Sequence, residues 1–135
     1  MDQTVFLDTS YILALILKDD TFHNQAKIIS ELLENGTINV TTTELVFIEI
    51  ADSLAKIKVR HKCIPIINKL RTTINVIKIN EEYLASAWNL FDKRIDKEWG
   101  LTDCYSFLVM QNYKIQQALT TDKHFEQAGF EILLK

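Results

Sequence analysis

The stretch TVFLDTSYILALIL, residues 4–17, decides the fold. It opens with a four-residue apolar run too short for a helix, which reads as a buried strand ending at Asp8. Two hydroxyl residues, Thr9 and Ser10, follow and can cap what comes next. What comes next is YILALIL, an apolar segment read as a short helix. At seven residues it falls far short of the roughly 20 needed to span a bilayer. A strand, a carboxylate at its carboxyl end and a helix turning away is the opening of an α/β unit.

The same alternation continues outward. Phe22–Glu34 has helical spacing through Phe22, Ala26, Ile29, Leu32 and Leu33, and Asn35-Gly36 stops it. Ile38–Val40 reads as a second strand, and Thr42/Thr43 open a helical stretch predicted to run to about Val59. Residues 60–73 are helical by pattern, with Pro65 near the first turn. INVIKI, residues 74–79, alternates like a strand; Asn80 caps a helix that begins with Glu81 and Glu82. After Gly100, Thr102 is the expected cap of a helix beginning at Asp103. Ala118–Thr120 is a strand, Asp122–Gln127 one helical turn, Gly129 its stop and Phe130–Leu134 the last strand. Strands separated by helices predict a three-layer α/β/α architecture with a mostly parallel central sheet. At 135 residues, with no repeat or Gly/Ser/Pro-rich linker, the expectation is one domain over residues 1–135.

Composition narrows the class. An apolar fraction of 47% with 24% charged residues is that of an ordinary globular protein. Two cysteines, Cys63 and Cys104, cannot staple a disulfide scaffold. Met1-Asp2-Gln3 lacks the positive charge of a secretory leader. These readings predict a cytoplasmic protein with free thiols and no membrane partner. The net charge of −3 hides a segregation. No Asp or Glu occurs between Ser53 and Asn80, where Lys56, Lys58, Arg60, Lys62, Lys69, Arg71 and Lys78 give +7; everything else carries −10. That segment is either a solvated helix face or a patch that meets phosphates beside an acidic centre.

Four of the 18 acids stand where carboxylates are expensive. Asp8 and Asp122 follow the apolar strands VFL and ALTT directly, although each would serve equally as a helix cap. Asp103 opens a largely apolar helix, where it would also complement the helix dipole. Glu49 is the one polar residue of LVFIEIA, and positions 45, 46, 52 and 53 offer it no Lys or Arg. Two carboxylates about 5 Å apart repel by roughly 3 kcal/mol at an effective dielectric of about 20. If all four converge, they hold either protons or a divalent cation, and an oxygen-only cluster suits Mg2+ or Mn2+. Such a centre supports phosphoryl transfer.

In these residues the chain resembles the PIN-domain ribonucleases, and within them the VapC-like toxins of prokaryotic toxin–antitoxin pairs. FLDTSYILAL, TTELVFIEIADSL, DKEWGLTDCYSFLVM and ALTTDKHFEQAGFEIL occur in the family's order over essentially the whole chain. The resemblance places the catalytic and metal-binding acids on Asp8, Glu49, Asp103 and Asp122, with Ser10 as the nearby hydroxyl; Ser10 and Thr121 either help position water or metal or serve as ordinary caps, the latter being the expectation for Thr121. It implies a Mg2+- or Mn2+-dependent endoribonuclease, RNA as substrate, an antitoxin protein as partner and a homodimer as a further expectation. The rival reading is a PIN-fold module that binds RNA or protein without turnover.

Lys56, Lys58, Arg60 and Lys62 are the expected RNA-phosphate contacts. His124 is expected to pack or bond locally, and its replacement to matter little. Asp96 is expected as a solvated acid or a distant support of Asp103. Trp88 and Trp99 are expected to pack in apolar surroundings rather than stack on bases. An aspartyl-phosphate phosphatase would need an acid two residues after Asp8, where Ser10 stands, and a receiver domain would need a paired acid beside Asp8, where Thr9 stands.

Overall fold

The computed structural model describes residues 3–135, so Met1 and Asp2, read above for a leader, lie outside the described residues. Its strands are β1 (Gln3–Leu7), β2 (Ile38–Thr43), β3 (Asn75–Ile77), β4 (Gln117–Leu119) and β5 (Glu131–Ile132). They form one sheet in the order β3-β2-β1-β4-β5, and every neighbouring pair is parallel. The helices are α1 (Thr9–Ile16), α2 (His23–Leu33), α3 (Glu44–Ser53), α4 (Ile57–Arg60), α5 (Cys63–Thr73), α6 (Glu81–Lys93), α7 (Leu101–Asn112) and α8 (Lys123–Gln127). No helix of the described residues is long and apolar enough to cross a membrane.

The chain steps from β1 to β2 to β3 in one direction, then returns past both to place β4 on the other side of β1. The order therefore reverses between β1 and β4. In an open parallel sheet the crevice outside the strand ends lies at that reversal. Asp8 leaves β1 there and Thr120–Asp122 leave β4 there, still joined by the Asp8 N–H bond to the Leu119 carbonyl, 3.2 Å.

The three-layer architecture is the one read from periodicity, with local differences that have physical causes. β2 continues to Thr43, because three β-branched threonines favour extended backbone. Buried Thr42 is satisfied by donating to the Leu7 carbonyl of β1, 2.7 Å, and Thr43 then caps α3 by accepting from Val46 N–H, 3.2 Å. The helix predicted to reach Val59 stops at Ser53, whose hydroxyl donates back to the Glu49 carbonyl, 2.8 Å, while Leu54 turns into the core. α7 begins at Leu101, capped at Gly100 and not at Thr102, because the Asp103 carboxylate reaches back to Gly100 N–H, 3.2 Å. β5 is two residues long, shorter than the predicted Phe130–Leu134. Gly36 follows α2 at φ +74, the left-handed conformation that the Asn35-Gly36 stop requires.

Beneath the strand ends lies an aromatic cluster. Phe107 of α7 meets Phe125 of α8 and Trp99 edge-on, both at 5.0 Å between ring centres, and Phe130 at 5.8 Å. Phe6 of β1 lies 6.5 Å from Phe125. Phe6, Phe107 and Phe125 are almost wholly shielded from water. Burying each is worth about 1.5–3 kcal/mol, and the edge contacts add roughly 0.5–1.5. This cluster locks α7 and α8 to the sheet, and with them the carboxylates that the two helices carry.

Candidate active site

Asp8 occupies the N-cap position of α1 but makes no capping bond with its side chain. Its Oδ2 instead accepts from Thr120 Oγ1, 2.8 Å, and from Ser10 Oγ, 3.2 Å. A carboxylate that forgoes its cap and faces hydroxyls from another strand is not explained as helix punctuation. The hydroxyls form a small lattice. Ser10 Oγ lies 2.9 Å from Thr120 Oγ1 and accepts from Thr121 N–H at 2.9 Å; Thr120 Oγ1 accepts from Asp122 N–H at 3.0 Å. It ties the ends of β1 and β4 together around Asp8.

Glu49 stands half-buried on α3, which packs against α7, and accepts from Thr9 Oγ1, forty residues earlier. Asp103 sits in the first turn of α7, almost buried. Its Oδ2 accepts from Gly100 N–H and lies 3.0 Å from His124 Nδ1. Asp122 caps α8 by accepting from His124 N–H at 2.9 Å, and the same oxygen is 3.4 Å from His124 Nδ1.

The electrostatics follow from burial and mutual repulsion. Loss of hydration raises the Asp8 carboxyl from the ordinary 3.8 to about 7; the Thr120 bond works against the rise, and Glu49 and Asp103 add to it. Glu49 is raised by burial, opposed by Thr9 and reinforced by Asp103 and Asp122. Asp103 is raised by burial, opposed by its His124 bond and reinforced by Asp122. Among the described residues no Lys or Arg nitrogen comes within ion-pairing distance of these four acids.

The structure thus brings Asp8, Glu49, Asp103, Asp122 and Ser10 together at the sheet reversal. Thr121 contributes its backbone N–H, while the hydroxyl beside Asp8 is that of Thr120. Thr120 and Thr9 were missed, because nothing in a Thr-Thr or Asp-Thr pair says which hydroxyl turns inward. His124 does more than bond locally, reaching Asp103 across 21 residues. Oxygens of Asp103 and Asp122 and a ring nitrogen of His124 lie within 4.8 Å of one another. Asp96 is tied to Arg94 at 2.9 and 3.0 Å, which holds it at about 2 and leaves it an exposed ion pair. Trp99 is buried and donates to Gln127, whereas Trp88 is half-exposed against Phe91, contrary to the packing expected of it.

The donor set fits a hard divalent cation: carboxylate oxygens in close company, with no Lys or Arg paired to them among the described residues. Lys56, Lys58 and Arg60 are exposed at α4 and Lys62 is half-buried; none of them makes an ion pair with these acids. Arg71 of the same basic segment is committed to Glu44 and to the Phe47 ring, 5.0 Å away.

The family model described as PIN domain matches residues 5–131. VapC20 of Mycobacterium tuberculosis, described as a Sarcin-Ricin loop cleaving toxin, superposes with a TM-score of 0.84 at 26% identity, over 97% of this chain and 99% of that one. VapBC2 from Rickettsia felis, bound to a DNA fragment from its promoter, gives 0.71 at 12% identity over 97% and 98%. VapBC-1 from nontypeable Haemophilus influenzae gives 0.67 at 18% identity over 97% of each chain. The last two likenesses concern the fold alone. No curated protein sequence matches the chain.

Proposed function

The chain belongs to the PIN domain family, and from that premise we propose that it is a divalent-metal-dependent endoribonuclease acting as the toxin of a toxin–antitoxin pair. The observation that carries the reading is the convergence of Asp8, Glu49, Asp103 and Asp122, with three of their pKa values raised and no Lys or Arg paired to them. Grouped, buried carboxylates with raised pKa values and no Lys or Arg beside them are the kind of perturbed cluster that marks functional sites. Asp8, Glu49, Asp103 and Asp122 would hold Mg2+ or Mn2+, which when bound supplies an activated water and stabilises charge on the phosphoryl oxygens.

The remaining parts are positioning. Thr120 and Ser10 orient the Asp8 carboxylate, Thr9 orients Glu49, and Gly100 N–H holds one oxygen of Asp103. Lys56, Lys58 and Arg60 would take RNA phosphates, with Lys62 at their edge. Arg71 is excluded from that role by Glu44. α4 follows α3, the helix that carries Glu49, after only residues 54–56, so the basic residues are joined closely in sequence to the element that bears one of the acids.

The RNA substrate and the antitoxin partner are supported by what the relatives are. VapC20, at 26% identity, is described as a Sarcin-Ricin loop cleaving toxin, and a toxin of that kind implies an antitoxin that holds it in check. The test is incubation of purified protein with structured and unstructured RNA in EDTA, then with Mg2+ or Mn2+ restored. The reading expects new RNA ends only after restoration; RNA bound but never cut under any metal would replace it with the binding-module alternative.

A further inference from the structure

We infer that His124 is a positioning residue of the acidic centre, its ring and its backbone N–H together fixing the orientation of Asp103 and Asp122. The inference rests on the reading of the cluster as a cation centre. His124 Nδ1 lies 3.0 Å from Asp103 Oδ2 and 3.4 Å from Asp122 Oδ1, and its backbone N–H donates to that same Asp122 oxygen at 2.9 Å. Carboxylate oxygens accept, so Nδ1 carries the hydrogen shared with Asp103. Gly100 N–H donates to Asp103 Oδ2 from the other side, 3.2 Å away.

One oxygen of each carboxylate is therefore occupied. Asp103 Oδ1 and Asp122 Oδ2 have no protein partner among the described residues and are the oxygens left for a cation. The imidazole has little freedom to be anything else. Its neighbour Phe125 is wholly buried between Phe6 and Phe107, which fixes the backbone of α8, and the ring nitrogen facing the site is already engaged by Asp103. Partners that orient ligating carboxylates typically change metal affinity by about 10–100-fold when removed.

The test is Mn2+ titration of the purified protein by calorimetry, with melting of each apo variant recorded in parallel and the electron spin-echo spectrum of bound Mn2+ recorded for wild type. His124→Ala is expected to weaken Mn2+ binding by about 10–100-fold while melting as a folded protein. His124→Asn, whose carboxamide nitrogen can stand in the place of Nδ1 and donate, is expected to bind within about threefold of wild type. The spin-echo spectrum is expected to show no nitrogen bonded to Mn2+. Equal binding by wild type and His124→Ala overturns the inference, and so does a directly bonded nitrogen or a His124→Asn variant as weak as alanine. Wild type that takes up no Mn2+ at millimolar concentration instead overturns the cation reading on which the inference stands.

Discussion

Replacing Asp8 with Asn should make the metal-free protein more stable, and by an amount that grows with pH. Asp8 is buried, and its carboxyl is raised from 3.8 to about 7. Below about pH 4 both folded and unfolded chains hold the proton, and Asp8 imposes no penalty. Between those values the unfolded chain has released the proton and the folded chain has kept it, so stability falls as pH rises. Integrating the linkage gives a penalty of about 2 kcal/mol at pH 5 and about 4 kcal/mol above pH 8. Asn accepts from Thr120 as the carboxylate does and does not titrate. Any packing difference it brings is the same at every pH, which leaves the slope as the signal. The advantage of Asp8→Asn over wild type should therefore grow by roughly 2–3 kcal/mol from pH 5 to pH 8.5, on the order of 10 °C in melting temperature for a domain of this size. Urea denaturation in EDTA across that range measures it. Millimolar Mn2+ should reverse the order, because only wild type gains fully from binding to the native state. A difference that is flat with pH, or that shrinks toward pH 8.5, would refute the burial argument for Asp8.

Thr120→Val keeps the shape of the side chain and removes the hydroxyl that donates to Asp8 and accepts from Asp122 N–H. It should cost about 1–3 kcal/mol in chemical denaturation and raise the Asp8 titration further, read by NMR of the carboxyl carbon; an unshifted titration would contradict the hydroxyl lattice. Lys58→Ala combined with Arg60→Ala should flatten the salt dependence of single-stranded RNA binding by up to about 1.4 in the log–log slope, on a background of Asp103→Ala, while cleavage by the double variant alone at saturating RNA persists. An unchanged slope would assign that helix to solvent or to an acidic partner.

How much was legible in the sequence depends on the range of the interaction. β1 and the helix after it could be read because a four-residue apolar run followed by capping residues permits few structures. Glu49 stood out because LVFIEIA leaves a lone carboxylate among core residues, a contrast visible along the chain. The end of α3 was hidden because it depends on Ser53 bonding back to Glu49 and on Leu54 turning inward, neither of which disturbs the helical pattern. The end of β2 is hidden in the sequence because Thr suits both a strand and a helix cap, and three in a row only resolve against the Leu7 carbonyl of the neighbouring strand. The inward hydroxyls of Thr9 and Thr120 and the reach of His124 to Asp103 are contacts across 40, 112 and 21 residues. Local pattern carries no record of them.

The most direct test of the central claim is single-turnover cleavage of a labelled RNA by wild type and by Asp103→Ala in Mn2+, with RNA binding measured on the same samples. The metal-centred account predicts that Asp103→Ala binds RNA as wild type does and leaves it uncut, since the carboxylate serves the transition state more than the bound substrate. Full cleavage by Asp103→Ala, or cleavage by wild type undiminished in EDTA, would contradict it.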